Sequence, residues 1–160
     1  MPSIRRTTPY AVLIAATLAA PPALAQEFAV MGDRSALERA AAVLDPGLRL
    51  PDNAAQLQAG DFTGDGELDV GAILHAGERT ALVVFHATPT GYHAHPLYTT
   101  LPPGDVAIRV VAPGRHRVQG PEGTIDLALP ALELILPGRT SALYVWTRDR
   151  YAVYPTESYF

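Results

Sequence analysis

Residues 60–74 read Gly-Asp-Phe-Thr-Gly-Asp-Gly-Glu-Leu-Asp-Val-Gly-Ala-Ile-Leu, and two patterns meet within this segment. Its first half is rich in Asp and Gly, which favour tight turns. Its second half, residues 68–74, is a nearly continuous apolar run of strand length. A turn that leads directly into an apolar strand is typical of antiparallel β-structure.

The same succession of short apolar runs and turn residues continues towards the C-terminus. Further candidate strands lie at residues 80–85, 92–98, 106–111, 115–118, 124–129, 132–136, 141–146 and 151–154, separated by breaks rich in Pro and Gly. One helix is expected before them, with Ser35 as its cap and a stop at Asp45-Pro46-Gly47. The sequence therefore predicts an α+β fold that is mainly β, with a short N-terminal helix followed by an antiparallel β-meander.

The first 25 residues have the pattern of a secretory signal peptide. Arg5 and Arg6 precede the apolar run at residues 11–20, and Ala23-Leu24-Ala25 supplies the small-residue ending that a signal peptidase cleaves. The run is too short to span a bilayer comfortably. We expect residues 1–25 to be removed, leaving residues 26–160 as a single globular β-rich domain without a transmembrane segment, in the periplasm or secreted.

Composition excludes some classes of function. Cysteine is absent, so disulfide bonds and cysteine nucleophiles are excluded. The 12 Lys+Arg residues are all arginine, and loss of Arg5 and Arg6 leaves 10 cations against 16 acids, a net charge of 10 − 16 = −6. An acidic chain without clustered cations is a poor partner for phosphate backbones, so we expect no nucleic-acid binding.

The acidic loop, residues 61–69, presents oxygen atoms in the order that suits a hard cation. Asp61, Thr63 and Asp65 alternate along it, the carbonyl of Glu67 follows, and Asp69 ends it. Ca²⁺ takes six to eight oxygen ligands, which predicts a structural Ca²⁺ site formed by these five residues. An Asp/Gly turn without any metal is the alternative reading of the same pattern.

This loop resembles the calcium loops of FG-GAP and VCBS-type repeats, found in extracellular proteins including the integrin α head. Asp61, Asp65, Gly66 and Asp69 match the repeat pattern, whereas Thr63 replaces its usual Asn or Asp. The resemblance implies Ca²⁺ binding at a turn between two strands. The loop occurs once, so it does not predict a propeller, which needs about four blades or more.

Three histidines define a possible second metal site. If residues 88–91 form a tight hairpin turn, His86 lies opposite His93, and His95 lies two residues further on the same face. Three imidazoles on one face could bind Zn²⁺ or Cu²⁺. A solvated polar face is the alternative interpretation.

The last hairpin is aromatic. Tyr144 and Trp146 share one face of a strand, and Tyr151 can reach that face across the turn. They could form a binding patch for a protein or a carbohydrate, or they could close the core. The combination of a helix, one acidic loop, hairpins and this Tyr-x-Trp strand also resembles a group of small exported bacterial proteins. No known activity comes with this resemblance.

Motifs for catalysis are missing from the sequence: we find no G-x-S-x-G, no H-E-x-x-H and no phosphate loop, and we name no catalytic residue. The sequence does not decide whether this protein is an enzyme, although the missing motifs count against catalytic activity. The function that we expect is a non-catalytic, Ca²⁺-binding interaction module of the cell envelope, whose partner is an envelope protein or a glycan. The alternatives are a small secreted hydrolase and an inhibitor or accessory protein of an envelope enzyme.

Overall fold

The computed structural model describes residues 34–101 and 105–157. The expected signal peptide at residues 1–25, and the first residues of the expected 26–160 domain, lie outside this part of the chain. No helix among the described residues is long and apolar enough to cross a membrane.

The described residues form one α-helix, α1 (Arg34–Leu44), a single 3₁₀ turn at Ala54–Gln56 and ten strands. The strands are β1 (Leu57–Gly60), β2 (Asp69–Ala76), β3 (Arg79–Thr88), β4 (Gly91–Tyr98), β5 (Ala107–Val111), β6 (Gly114–Arg117), β7 (Thr124–Leu127), β8 (Ala131–Ile135), β9 (Ser141–Trp146) and β10 (Tyr151–Thr156). The prediction of a mainly β, antiparallel fold is confirmed, and the described residues include the predicted helix. Strand β1 was not predicted, because its four residues lack a clear apolar pattern.

Helix α1 begins one residue before the predicted cap, so Ser35 lies inside its first turn. Leu37, Ala40 and Ala41 are its buried residues, as expected for apolar side chains spaced three and four apart. The helix ends where predicted. There the Gly47 N–H donates to the Asp45 carboxylate at 2.7 Å, and this local turn replaces a further turn of helix.

The strands form two four-stranded antiparallel sheets and a separate hairpin. The first sheet has the order β1-β2-β3-β4, which is the predicted meander. The second has the order β10-β9-β8-β5, and β6 pairs only with β7. The meander prediction is therefore wrong at β5, which pairs with β8 in the second sheet, whereas β6 with β7, β8 with β9 and β9 with β10 pair in sequence as predicted. After β5 the chain leaves the second sheet at Gly114, which has a φ of 133°. The chain returns at β8, which pairs with β5.

The first sheet is the middle layer of the molecule. On one face it packs against α1, where Val70, Leu74 and Phe85 meet Leu37. On the other face Ile73, Leu82 and Val84 meet residues of the second sheet, namely Ile108, Leu132, Leu134 and Tyr144. Strands β2 and β3 are buried on both faces, which explains why their sequences are nearly continuous apolar runs.

Three connections meet at one end of the two sheets. The acidic loop joins β1 to β2, and the β3–β4 turn lies beside it because β2 and β3 are antiparallel. The β9–β10 turn is at the same end, since Tyr151 at the start of β10 contacts His86 near the end of β3. The acidic loop, the histidines and the aromatic hairpin are thus brought together at this end.

Candidate functional site

The acidic loop is organised by the first of its carboxylates. Asp61 Oδ1 accepts hydrogen bonds from the Gly64 and Asp65 N–H groups at 2.7 and 3.1 Å, and Asp61 Oδ2 accepts one from Gly66 at 3.0 Å. Gly64 and Gly66 have φ angles of 79° and 90°, which glycine adopts without strain. The tight turn predicted for this Asp- and Gly-rich segment is therefore present, and the Asp61 carboxylate at its centre closes it.

The last carboxylate of the loop, Asp69, is fully buried. Its Oδ2 accepts from the Phe62 and Thr63 N–H groups at 2.9 and 3.0 Å, and its Oδ1 accepts from Ala87 at 2.9 Å. Burial raises the pKa of the Asp69 carboxyl, while these three donors act in the opposite direction. Asp69 thus joins the start of the loop to the end of β3, a structural task that its position in the motif does not reveal.

The remaining oxygens of the loop differ in their surroundings. Asp65 and Glu67 are exposed, and the Asp65 carboxylate accepts the Glu67 N–H at 2.9 Å. Thr63 Oγ1 is buried and has no hydrogen-bond partner within the described chain. No group of three or more His, Cys, Asp and Glu side chains among residues 34–101 and 105–157 is arranged to hold a metal ion. In this conformation Asp61 and Asp69 are directed at backbone N–H groups.

The histidine cluster, His86, His93 and His95, lies next to the loop. His86 pairs with His93 and Val84 pairs with His95, so the predicted register of this hairpin is confirmed. The His86 and His95 rings are 4.1 Å apart between centroids, and His93 Nδ1 is 3.0 Å from His95 Nε2. His86 is buried, His95 is half-buried and His93 is exposed, so the cluster opens to solvent on the β4 side.

The second sheet adds Trp146 and Tyr151 to this cluster. The Tyr151 hydroxyl is 2.8 Å from His86 Nε2, and the Trp146 ring meets His86 edge-on at a centroid distance of 4.6 Å. Tyr144, the third residue of the predicted patch, is only 3% exposed and packs between the two sheets. The patch is therefore corrected to Trp146 and Tyr151, because Tyr144 lies two cross-strand pairs further along the hairpin, in the core.

Burial lowers the pKa of two histidines of the cluster, His86 and His95. It is the largest cause of the lowered pKa of His86, about 4, and the positive charges that His95 and His93 would carry act in the same direction. The pKa of His95 is also lowered, by burial and then by His93. At neutral pH both rings are uncharged. The Asp65 carboxylate raises the pKa of His86, which shows that the acidic loop acts on the cluster.

Glu133, a buried carboxylate in the second sheet, was not identified from the sequence. Glu133 is 2% exposed, and its carboxylate accepts from Arg109 Nε at 2.6 Å and from the Thr156 hydroxyl at 2.7 Å. Both donors contribute to a cavity of about 210 Å³ together with His116. A glutamate in the middle of the apolar run at residues 131–135 was the available signal. Because each oxygen of the Glu133 carboxylate accepts a hydrogen bond from a different strand, Glu133 joins β8 to β5 and β10.

No protein-family model, curated protein or solved structure matches this chain. The resemblance of the acidic loop to FG-GAP and VCBS-type repeats therefore stays a prediction that rests on the residues of the loop.

Proposed function

We propose that this protein is an exported, non-catalytic binding module of the cell envelope whose fold is stabilised by Ca²⁺ at the acidic loop. The observation that carries the calcium part of this proposal is the buried hydroxyl of Thr63, which lacks a hydrogen-bond partner in the described chain. An unsatisfied buried hydroxyl destabilises the folded state by about 1–3 kcal/mol, so a cation that binds this oxygen would remove that penalty.

The other oxygens of the loop are compatible with this proposal. Each carboxylate oxygen can accept more than one interaction, so the hydrogen bonds of Asp61 and Asp69 leave lone pairs for a cation. Asp65 is exposed and could turn towards the Thr63 hydroxyl, and the Glu67 carbonyl completes the set. When bound, Ca²⁺ would supply positive charge that offsets the mutual repulsion of the three aspartates.

A binding role is favoured by what surrounds the loop. Trp146 and Tyr151 are half-buried at the same end of the molecule, and aromatic residues of this kind are enriched at interfaces. The calcium-stabilised turn would hold this end in one conformation. The partner that we expect, an envelope protein or a glycan, and the periplasmic or secreted location stay predictions from the sequence.

The test is a thermal melt of the purified protein in chelator, in millimolar Ca²⁺ and in millimolar Mg²⁺. Calcium at 100 times its Kd should add about 2.7 kcal/mol to the free energy of unfolding. For a domain of this size, that should raise Tm by several degrees. Asp65→Asn keeps an oxygen for the Glu67 N–H but removes the charge, and it should reduce the rise. Asp149→Asn, in the exposed β9–β10 turn, is the matched control and should keep it.

Thr63→Val is the more specific test, because the substitution should not lower Tm in chelator but should reduce the increase in Tm that Ca²⁺ causes. In chelator, replacing an unpartnered buried hydroxyl with a methyl group should leave Tm unchanged or raise it. In Ca²⁺, the variant should lose much of the rise. A Ca²⁺ response that Thr63→Val retains in full, or the absence of any Ca²⁺-selective shift in the wild type, would overturn the proposal.

A further inference from the structure

We propose that His93 and His95 form a second cation site, selective for imidazole-seeking transition metals such as Cu²⁺ and distinct from the calcium loop. The proposal does not depend on the calcium site. It uses different ligands, on a different hairpin, for a metal of a different class.

The geometry of strand β4 brings the two ligands together. Residues 93 and 95 lie on the same face because side chains alternate along a strand. His93 Nδ1 and His95 Nε2 are 3.0 Å apart. Two imidazole nitrogens that bind one ion at about 2.0–2.1 Å, with a nitrogen–metal–nitrogen angle between square and tetrahedral, are about 2.8–3.4 Å apart. The two rings already have the separation that a shared metal requires.

The surroundings favour an open site with two protein ligands. His93 is exposed and His95 is half-buried, so an ion can reach both from solvent. His86 contacts the His95 ring, but its Nε2 is 2.8 Å from the Tyr151 hydroxyl. Among the described residues no third His, Cys, Asp or Glu completes a ligand set, so water would occupy the other positions.

The chemistry of these ligands selects the metal. Neutral imidazole binds Cu²⁺ and Zn²⁺ well, and Cu²⁺ binds most tightly of the divalent first-row ions. The competing explanation for the 3.0 Å contact is a simple hydrogen bond between the two rings, which would require no metal.

Trp146 provides the readout, since it is the single tryptophan of the chain and its ring centroid is 5.6 Å from that of His95. Titration with Cu²⁺ at neutral pH, in millimolar Ca²⁺ to occupy the acidic loop, should quench Trp146 fluorescence with a stoichiometry of one. Removing a partner that only orients a ligand weakens metal affinity by about 10–100-fold, so loss of a ligand itself should weaken Cu²⁺ binding at least about tenfold.

Four variants make the test specific. His93→Gln changes an exposed residue and should fold normally, whereas His95→Gln is checked by its melt in chelator. Both should lose the tight quenching. His75→Gln and His116→Gln, outside the cluster, should retain it. Electron paramagnetic resonance of the bound Cu²⁺ should show coupling to nitrogen that is reduced in His93→Gln.

Three results would overturn the proposal: no saturable quenching in the wild type, quenching that is unchanged in His93→Gln, or quenching that disappears in His75→Gln or His116→Gln. In each of these outcomes the contact between His93 and His95 would be a hydrogen bond of the apo-protein. Each result leaves the calcium melt unaffected, so failure of one proposal can be distinguished from failure of the other.

Discussion

Carboxylates that look equivalent in the sequence have different tasks in the structure. Asp61 closes its own loop by accepting from N–H groups three to five residues ahead. Asp69 instead reaches across to Ala87 on β3, 18 residues away, and is buried as it does so. Loss of Asp69 should therefore disturb the packing of the first sheet as well as the loop.

Asp69→Asn tests this role. The amide keeps one acceptor oxygen but places an NH₂ group against at least one backbone N–H, leaving a buried donor unsatisfied. We expect the free energy of unfolding in chelator to fall by about 1–3 kcal/mol, measured by urea denaturation. Asp126→Asn is the control, because Asp126 is exposed and forms an ion pair with Arg115 at the surface. Equal effects of the two substitutions would contradict a structural role for Asp69.

Gly71 is the second residue whose role depends on packing. It lies on the face of β2 that meets the second sheet, and a Cβ added there would come within 2.7 Å of Leu132 Cδ2. Leu132 is fully buried, so it has little room to move. The close approach of the two sheets at this point therefore requires a residue without a side chain.

Gly71→Ala should destabilise the protein by about 1–3 kcal/mol through overpacking, as measured by urea denaturation. The double variant Gly71→Ala/Leu132→Ala supplies the control, since the new methyl group then occupies vacated space. The loss in the double variant should be smaller than the sum of the two single losses by at least about 0.5 kcal/mol. Additive losses would show that the sheets separate freely at Gly71.

Helix α1 packs against the first sheet through one of its faces. Leu37 and Ala41 are completely buried against the first sheet, whereas Val43 is 85% exposed. An isolated helix of 11 residues is marginal in water, so α1 depends on this contact.

The contact can be tested within the helix. Leu37→Ala should cost about 2–5 kcal/mol, since it removes a buried side chain and leaves a cavity. Val43→Ala, six residues further along the same helix, should change the free energy of unfolding by less than about 0.5 kcal/mol. Urea denaturation monitored by Trp146 fluorescence measures both. A similar small effect for both variants would show that α1 does not pack as described.

At the scale of the whole molecule, the packing of the two sheets creates the environment of the histidine cluster. His86 and His95 come from the first sheet, while Trp146 and Tyr151 come from the second and exclude water from them. The charge of His86 is therefore linked to the assembly of both sheets.

This linkage predicts a dependence of stability on pH. The pKa of His86 is about 4 in the folded protein and about 6.5 when unfolded, so the unfolded state binds the proton more readily. Above pH 6.5 His86 is neutral in both states and does not lower the free energy of unfolding. As the pH falls from 6.5 towards 4, preferential protonation of the unfolded state lowers the free energy of unfolding by about 3 kcal/mol at most. His95 and His93 on β4, Tyr151 on β10 and Asp65 in the acidic loop are the other titratable groups that act on the cluster.

Urea denaturation in chelator at several pH values between 7.5 and 5 measures this dependence. The free energy of unfolding of the wild type should decrease across that range, with His95 contributing in the same direction. His86→Gln cannot take up the proton and should show a smaller decrease. An equal decrease in both proteins would show that other groups, not His86, govern acid sensitivity.

Several features of this molecule were predictable because they arise from interactions between near neighbours. The acidic loop, the end of α1 and the pairing of His86 with His93 all depend on contacts within a few residues or on one tight turn. Alternation along strands then placed His95 on the same face. The mainly β character follows from the same local patterns.

Long-range features were not predictable, because no local pattern encodes which faces of two sheets meet. The pairing of β5 with β8, the burial of Asp69 and Tyr144, and the Glu133 network depend on that packing. The contact between His86 and Tyr151 joins residues 65 positions apart. The amino-acid sequence thus specifies the turns and the side chains of the acidic loop and the histidine cluster. The packing of the two sheets determines the exposure, protonation and neighbours of those side chains.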